Sequence, residues 1–546
     1  MKRLIGKILF ESLFLVAIYI GGLYLRLEPR LEQDPHLLTF EADIWYRLTM
    51  AQHLMDHGSL PENDIRYMSY GKVPFWYPPL SLHAFVGLAK ISGLDLPTVS
   101  SRIAPFIEAL TPLSLYLFCR ILWGLRIAVL ATSFLSLIPA FVFWSGISDP
   151  QSFVLFMTPL ILLLWIKHTE WTCFRFTKPI WRILRILIIS GLLAVCFMTH
   201  LFYFLQVIIL IMVTLALFLE RIARKRIWLD LFLVILFSQL ITIWWWAPSK
   251  LYWWWLFSIV TSSSLYTTDQ KLINFGVVSA VIGFYFLLLV LYKAIFRGKN
   301  PMKYAWIPIL WALIPFLETQ NEALLKLIGR TDLSWSTIFK PLEGFRFFCF
   351  LAQPVAICFG MGINHYLKSQ KKRPHPIIPL LFILLIADIF IVYNMPVRIK
   401  NSGFTIDEIE AAQWFQKNSK PNDRIIADYY RSQMLGGFTG GKALLGMAFP
   451  LRNVDYPWIS QTNYTVPKDA YTIYTSEDPE EVIDLMKRYG ATHLFVSATM
   501  GTNANFVMTH EMGFGVEFNY KTLMNPNYFR PVYQDEGKTV ILKRVK

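Results

Sequence analysis

The chain of 546 residues is short of charge: Asp, Glu, Lys and Arg supply only 16% of it, where a soluble protein carries roughly a quarter. Cysteine is scarce as well. The five cysteines, Cys119, Cys173, Cys196, Cys349 and Cys358, lie in or beside apolar runs, and no CxxC spacing occurs. That excludes a disulfide framework and a zinc ribbon. No internal repeat or low-complexity tract is present. No basic stripe with interleaved stacking aromatics is present either, which removes a nucleic-acid partner. The small-residue cleavage site that ends a signal peptide is missing too. The apolar run that follows Lys2, Arg3 and Lys7 and extends to about Tyr24 therefore reads as an uncleaved first span.

What the chain has is grease. Hydrophobic residues make up 55% of it, and apolar runs near twenty residues recur, each long enough to cross ~30 Å of hydrocarbon. The expected architecture is a polytopic α-helical membrane protein of about 11 spans. The net charge of +15 is carried by short basic clusters between those runs. Lys167, Arg175, Lys178, Arg182 and Arg185 form one cluster, and Arg221, Arg224, Lys225 and Arg226 another. Lys293, Arg297, Lys299 and Lys303 form a third, and Lys368, Lys371, Lys372 and Arg373 a fourth. Every cluster falls on the same side when the spans are counted, as the positive-inside rule requires. The N-terminus is then cytoplasmic, and the protein sits in the cell membrane as a multi-pass protein with the lipid bilayer as its partner.

Two stretches break the pattern. The first is the polar interval 41–83 within an outer loop from 28 to 102. It holds Glu41, Asp43, Asp56, Glu62 and Asp64 with His53, His57 and His83. Its apolar piece 80–92, flanked by Pro78, Pro79 and Pro97, is too short to cross and reads as an interfacial or re-entrant segment. The second begins beyond Pro396. DEIEAAQWFQK from Asp407 reads as an amphipathic helix, and RIIADYY from Arg424 as a strand. LGGFTGGKALLG reads as a glycine-rich turn region. PEEVIDLMKRYG from Pro479 is a helix closed by Gly490, and HLFVS and TVILKRV are strands. The expected domains are a membrane domain over 1–395 and an extracytoplasmic α/β domain over 396–546.

Several polar residues are placed for chemistry. Glu41 and Asp43 follow the first span. Carboxylates there bind a divalent cation or accept a proton from an acceptor hydroxyl or amide, or else simply cap a solvated helix. Asp149 stands alone in the short loop after Trp144. A carboxylate at a membrane edge needs solvent, a partner or a metal, and Asp-Pro is also a common helix start. Arg346 in GFRFF sits at the outer mouth of a span. It reads either as a bidentate phosphate ligand or as a snorkelling interfacial arginine. His83 in YPPLSLH is within reach of a metal, or is a packing histidine.

The order of these parts resembles the GT-C superfamily of membrane glycosyltransferases. A first span is followed by an acidic loop with Asp43, Trp45, Tyr46 and Arg47, then by YPPLSLH. SGISDPQSF opens the second outer loop, Arg346 marks a late span mouth, and an α/β domain closes the chain. Within the superfamily the sequence is most similar to the catalytic subunit of oligosaccharyltransferase in its archaeal and bacterial single-chain forms. The resemblance implies that Asp43 and Asp149 are catalytic and bind the metal, Mg²⁺ or Mn²⁺, with His83 as a further ligand. It implies an acceptor-contacting role for Glu318 and a phosphate contact for Arg346. It also places Glu41, Asp428 and Tyr429 at the substrate, because Ala427-Asp428-Tyr429-Tyr430 keeps the Asp-Tyr of that family's WWDYG motif. Gln151 stands where the family has an acid or histidine, and the rest of WWDYG is absent.

The implied function is an inverting transferase. It moves a sugar or glycan from a polyprenyl-phosphate or diphosphate donor to a glycan, lipid or protein acceptor on the extracytoplasmic face. The rival enzyme is a true oligosaccharyltransferase acting on Asn-X-Ser/Thr. The rival outside enzymes is a transporter or a non-catalytic scaffold. Its expected signature is ionisable residues near the midplane of the spans, whereas the carboxylates here collect in outer loops.

Overall fold

The computed structural model describes residues 2–31, 34–36, 42–63, 75, 77–145, 150–174, 179–200, 202–247, 275–296, 304–319, 347–369, 383, 386–387, 404–439, 442–444, 465–498, 500, 519–535 and 539–545. It confirms a polytopic helical membrane protein. Seven stretches among the described residues are long and apolar enough to cross a membrane, and Leu125–Leu137, Tyr203–Leu219 and Trp306–Leu317 are shorter apolar helices. The expected eleventh span, 377–395, lies outside the described residues apart from three helical positions.

In chain order the helices are α1 Lys2–Leu31, α2 Ala42–His57, α3 Pro79–Ser92, α4 Leu96–Thr98, α5 Ala104–Glu108 and α6 Thr111–Leu122. Then come α7 Leu125–Leu137, α8 Pro139–Trp144, α9 Gln151–Phe174, α10 Pro179–Thr199, α11 Tyr203–Leu219 and α12 Ile227–Trp246. After them follow α13 Val277–Ile295, α14 Trp306–Thr319 and α15 Phe348–Ser369. The last part of the chain adds α16 Ile406–Asn418, β1 Ile425–Ile426, α17 Tyr429–Thr439, β2 Ala443–Leu444 and α18 Thr465–Thr475. It ends with α19 Pro479–Arg488, β3 His493–Ser497, α20 Tyr520–Leu523, β4 Phe529–Asp535 and β5 Thr539–Arg544. Two compact units emerge. One comprises 1–29 and 103–396, and the other 30–102 and 397–546.

In the first unit α15 is the axis. Its apolar window is 94% buried, and α7, α8, α13 and α14 pack around it. Ala352, Ala356 and Gly360 recur every fourth residue, the small-residue spacing that lets helix backbones close up in a membrane. A Cβ at Gly360 would meet the Ile127 carbonyl oxygen at 2.9 Å and the Ala131 nitrogen at 3.1 Å, so the closeness of α7 to α15 requires this glycine. By contrast α1 is peripheral, with only 6% of its window buried. It is tied to α6 by Glu11, which accepts from Arg120 Nη2 at 2.9 Å and from Tyr116 Oη at 3.0 Å. It is tied to Ser145, at the end of α8, by Arg26. Buried Asp230 on α12 accepts from Arg182 on α10 and lies 2.9 Å from His168 Nε2 on α9, so each of these three helices contributes one member to an ionic joint.

In the second unit the sheet runs β2-β1-β3-β5-β4, parallel across β2, β1 and β3 and antiparallel from β3 onward. The helix expected at PEEVIDLMKRYG forms as α19, with Asp478 accepting the Glu480 amide as its cap. HLFVS and TVILKR form β3 and β5. DEIEAAQWFQK lies in α16, started by a reciprocal capping box between Thr405 and Glu408. Tyr474 donates to the Phe495 carbonyl at 2.9 Å and the Ile426 carbonyl at 3.2 Å, strapping α18 to β3 and β1. One expectation is corrected. Only Ile425 and Ile426 of RIIADYY are strand, while Tyr429 opens α17 and the Leu435–Thr439 part of the supposed turn completes that helix. The physical reason is a tertiary contact at Gly437.

Candidate functional site

The segment 80–92, expected at the interface or re-entrant, is the helix α3. It buries Leu82, Val86 and Ala89 and packs on α2 within the second unit. The middle of α2 is interior: Ile44, Trp45, Tyr46, Arg47, Leu48, Thr49, Met50 and Ala51 are all buried. Its principal partner is α17. Trp45 lies against the Phe438 ring, with centroids 5.3 Å apart, and edge-on to Phe404 at 6.0 Å. Thr49 Oγ1 donates to the Trp45 carbonyl at 2.9 Å and reaches the Gln433 carbonyl at 3.4 Å. A Cβ at Gly437 would stand 2.5 Å from Trp45 Cε3, so the double glycine of α17 is a seat for an indole. That seat fixes the helix whose first turn holds Asp43.

The other expected residues fall as follows. Glu41, Asp149 and Arg346 lie outside the described residues. For Asp43, Glu318 and Tyr429 the structure describes the backbone position: the first turn of α2, the end of α14 and the start of α17. His83 is on α3, exposed, with Nδ1 donating to the Pro79 carbonyl at 2.8 Å. That bond leaves the ring's lone pair on Nε2. Asp43 and His83 thus share one unit, on two helices that pack together. Among the described residues no three His, Cys, Asp or Glu side chains form a group able to hold a metal.

Asp428 is buried. Its Oδ1 accepts the Arg431 amide at 2.8 Å, its Oδ2 accepts Arg431 Nη1 at 3.1 Å, and Arg431 Nε donates to Glu408 Oε1 at 2.9 Å. The guanidinium also lies over the Phe404 ring. Burial pushes the Asp428 carboxyl upward while Arg431 pulls it back. Burial works against the Arg431 charge, but the two carboxylates hold it protonated. The Asp of the Asp-Tyr pair is therefore engaged in joining α16 to α17. Sequence reasoning missed this network, although Thr405-x-x-Glu408 announced one end of it. It also missed His36, whose Nδ1 is 2.8 Å from Asp34 Oδ1 and whose Nε2 is 2.6 Å from Asp95 Oδ2. The bond to Asp95 raises the His36 pKa against the effect of burial. Burial also opposes the charge on Asp95, yet His36 and the Thr98 amide hold it down at about 2.

No known family profile matches the sequence, and no curated protein matches it. Solved structures do. The archaeal oligosaccharyltransferase AglB from Archaeoglobus fulgidus, in complex with an inhibitory peptide and a dolichol-phosphate, superposes with a TM-score of 0.64 at 12% identity over 92% of this chain and 71% of its own. The A. fulgidus oligosaccharyltransferase in complex with Zn and sulfate gives a TM-score of 0.60 at 12% identity, over 96% and 72% of the two chains. ArnT from Cupriavidus metallidurans bound to undecaprenyl phosphate gives 0.57 at 11% identity over 98% of both chains. These neighbours are GT-C glycosyltransferases, and the GT-C resemblance read from the motifs holds for the fold.

Proposed function

We propose that this GT-C chain is a membrane glycosyltransferase that moves a sugar or glycan from a polyprenyl-phosphate or diphosphate donor to an acceptor on the extracytoplasmic face. The observation that carries the reading is the extent of the fold match. It spans 92% of this chain against a protein holding dolichol-phosphate and 98% against one holding undecaprenyl phosphate. In this reading the domain over 396–546 is extracytoplasmic and shapes the acceptor groove, and Glu41 and Glu318 are acceptor-contacting residues.

Asp43 accepts the proton from the acceptor hydroxyl or amide, and the freed lone pair attacks the anomeric carbon from the face opposite the phosphate. The new glycosidic bond forms as the carbon–oxygen bond to phosphate breaks, with inversion, and the bonding pair leaves on the polyprenyl phosphate. Arg346 neutralises that leaving charge through paired N–H donors. A divalent cation, Mg²⁺ or Mn²⁺, held by the hard oxygens of Asp43 and Asp149 with His83 as a further ligand, would add positive charge at the same phosphate.

The test is a transfer assay on purified protein in lipid. It supplies radiolabelled polyprenyl-phosphate sugars and polyprenyl-diphosphate oligosaccharides, with and without an Asn-X-Thr peptide, Mn²⁺ and EDTA. Wild-type protein consumes a donor, and Asp43→Asn loses transfer while keeping its fold. Full activity of Asp43→Asn sinks the assignment. The second reading is transfer to asparagine. It is favoured by the TM-score of 0.63 against an oligosaccharyltransferase tethered to a peptide with the NVT sequon. Labelled peptide supports that reading, and donor consumption without it supports the broader one.

A further inference from the structure

The helix α3, PLSLHAFVGLAKIS, is apolar on two opposite sides. A helix that packs on protein with one side and meets water with the other presents polar residues to the water. At 3.6 residues per turn, Leu82, Val86 and Ala89 form one row, and it is buried in the helix that packs on α2. Ala84, Leu88 and Ile91 form the row opposite. Ala84 is exposed, Leu88 is half-buried, and Ile91 is 86% exposed. His83 and Lys90, both exposed, stand together on the flank between the two rows. The helix stops at Gly93, whose φ of 71° is the left-handed conformation a glycine adopts freely. The turn beyond it exposes Leu94 as well.

The level of this row is fixed by what lies beside it. Leu94 stands two residues before the spanning stretch Leu96–Leu122, so it is within about 7 Å of the end of that stretch. Asp95, between them, accepts the Thr98 amide at 2.8 Å and lies 2.6 Å from Nε2 of His36, five residues past the end of α1. Arg30, two residues past the spanning stretch Ile5–Glu28, donates through Nη1 to the Ser100 carbonyl at 3.3 Å. The turn that carries Leu94 is thus fastened beside the ends of two spanning stretches, where hydrocarbon gives way to headgroups. We propose that α3 lies in the membrane interface, with Ile91 and Leu94 in the acyl chains of the adjacent leaflet and Lys90, on the flank, at the lipid phosphates. The partner is the lipid surface itself, and the helix that packs on α2 is also the anchor that sets the height of α2 at the bilayer. The inference stands apart from the proposed transfer reaction and does not rest on it. The competing account is a solvated apolar row, since exposed apolar side chains are common on protein surfaces.

The experiment is a depth measurement on the full-length protein in lipid nanodiscs, with a nitroxide on a single introduced cysteine. The five native cysteines are buried, and wild type carried through the same labelling supplies the background. Relaxation of the nitroxide is read with oxygen, which concentrates in lipid, and with a water-soluble nickel chelate. The label at Ile91→Cys should respond several-fold more to oxygen than to nickel, as a label at the exposed Ile188→Cys on α10 does, and Leu94→Cys should follow it. A label at the exposed Lys487→Cys on α19 should do the reverse. Lys90→Cys, one residue from Ile91 but on the flank, should respond more to nickel than Ile91→Cys, the register that a helix lying in the interface requires. An Ile91→Cys label that behaves like Lys487→Cys puts the row in water, and one that neither reagent reaches puts it under protein. Either result overturns the anchor. Each variant's melting curve confirms that it is folded when scored.

Discussion

Placing a single methyl at Gly437 tests how α2 is held. The added Cβ would lie 2.5 Å from Trp45 Cε3 and 3.0 Å from Cζ3, where carbon atoms prefer about 3.5–4.0 Å. The indole has to move by roughly 1 Å to restore an ordinary contact. Trp45 is fully buried with Phe404 and Phe438 against it, so the ring has little room to retreat, and α2 must lift from α17. Overpacking of this kind costs about 1–3 kcal/mol. The glycine-to-alanine exchange in a helix returns up to ~1 kcal/mol. Gly437→Ala should therefore destabilise the second unit by about 1–2 kcal/mol. For a unit of this size that lowers the melting temperature by roughly 2–4 °C per kcal/mol, read by scanning fluorimetry on the intact protein in nanodiscs. Trp45→Leu removes the obstructing ring. In a double-mutant cycle Gly437→Ala should cost less on that background, with a coupling on the order of 1 kcal/mol. If the two losses simply add, or if Gly437→Ala stabilises, the seat reasoning is refuted. Asp43 lies within two residues of Trp45 on the same helix, so the lift should also show in turnover. A misplacement near 1 Å costs as much as ~10²-fold in rate.

The buried ionic joint and the histidine bridge give two further expectations. Arg431→Met leaves Asp428 and Glu408 buried without their cation, and should cost about 3–5 kcal/mol in the unfolding of the second unit. Pairing it with Asp428→Asn and Glu408→Gln should recover most of that loss, and a cost below about 1 kcal/mol for Arg431→Met alone would show that the joint carries little. His36 has its pKa raised above the ordinary 6.5, by the Asp95 bond first, against burial and with help from Asp34. Its contribution is therefore complete below pH 6.5 and fades as pH climbs through the raised value. Asp95 is held at about 2 instead of 3.8, so its share is present above 3.8 and lost as pH falls toward about 2. The melting difference between wild type and His36→Gln should be largest in mild acid and shrink as pH climbs through the raised His36 value, with a full size of about 0.2–1 kcal/mol for so solvent-exposed a pair. A difference flat in pH would refute the bridge.

The membrane helices were legible because their signal is local: hydropathy summed over some twenty residues needs no knowledge of what the helix touches. The same holds for α16 and α19, whose Thr405 and Asp478 caps are written next to the helices they start. α17 was illegible for the opposite reason. Leu-Gly-Gly read alone is a turn, and it becomes helix because Trp45, nearly four hundred residues earlier, fills the space a side chain at 437 would take. The placement of 30–102 with 397–546 in one unit is hidden in the same way, since no local pattern in either stretch encodes its partner. The candidate site divides along this line. Acid positions such as Asp43 stood out as polar exceptions in a greasy chain, which is a compositional signal. Asp428 is different: Asp-Tyr is readable as half of an acceptor motif, but the sequence does not say that Arg431, one turn on, closes over that carboxylate while reaching Glu408 on another helix. A buried carboxylate is satisfied by whatever cation the fold delivers. Its role is thus decided by packing, and the residues that hold α2 in place carry no chemistry that a motif search would recognise.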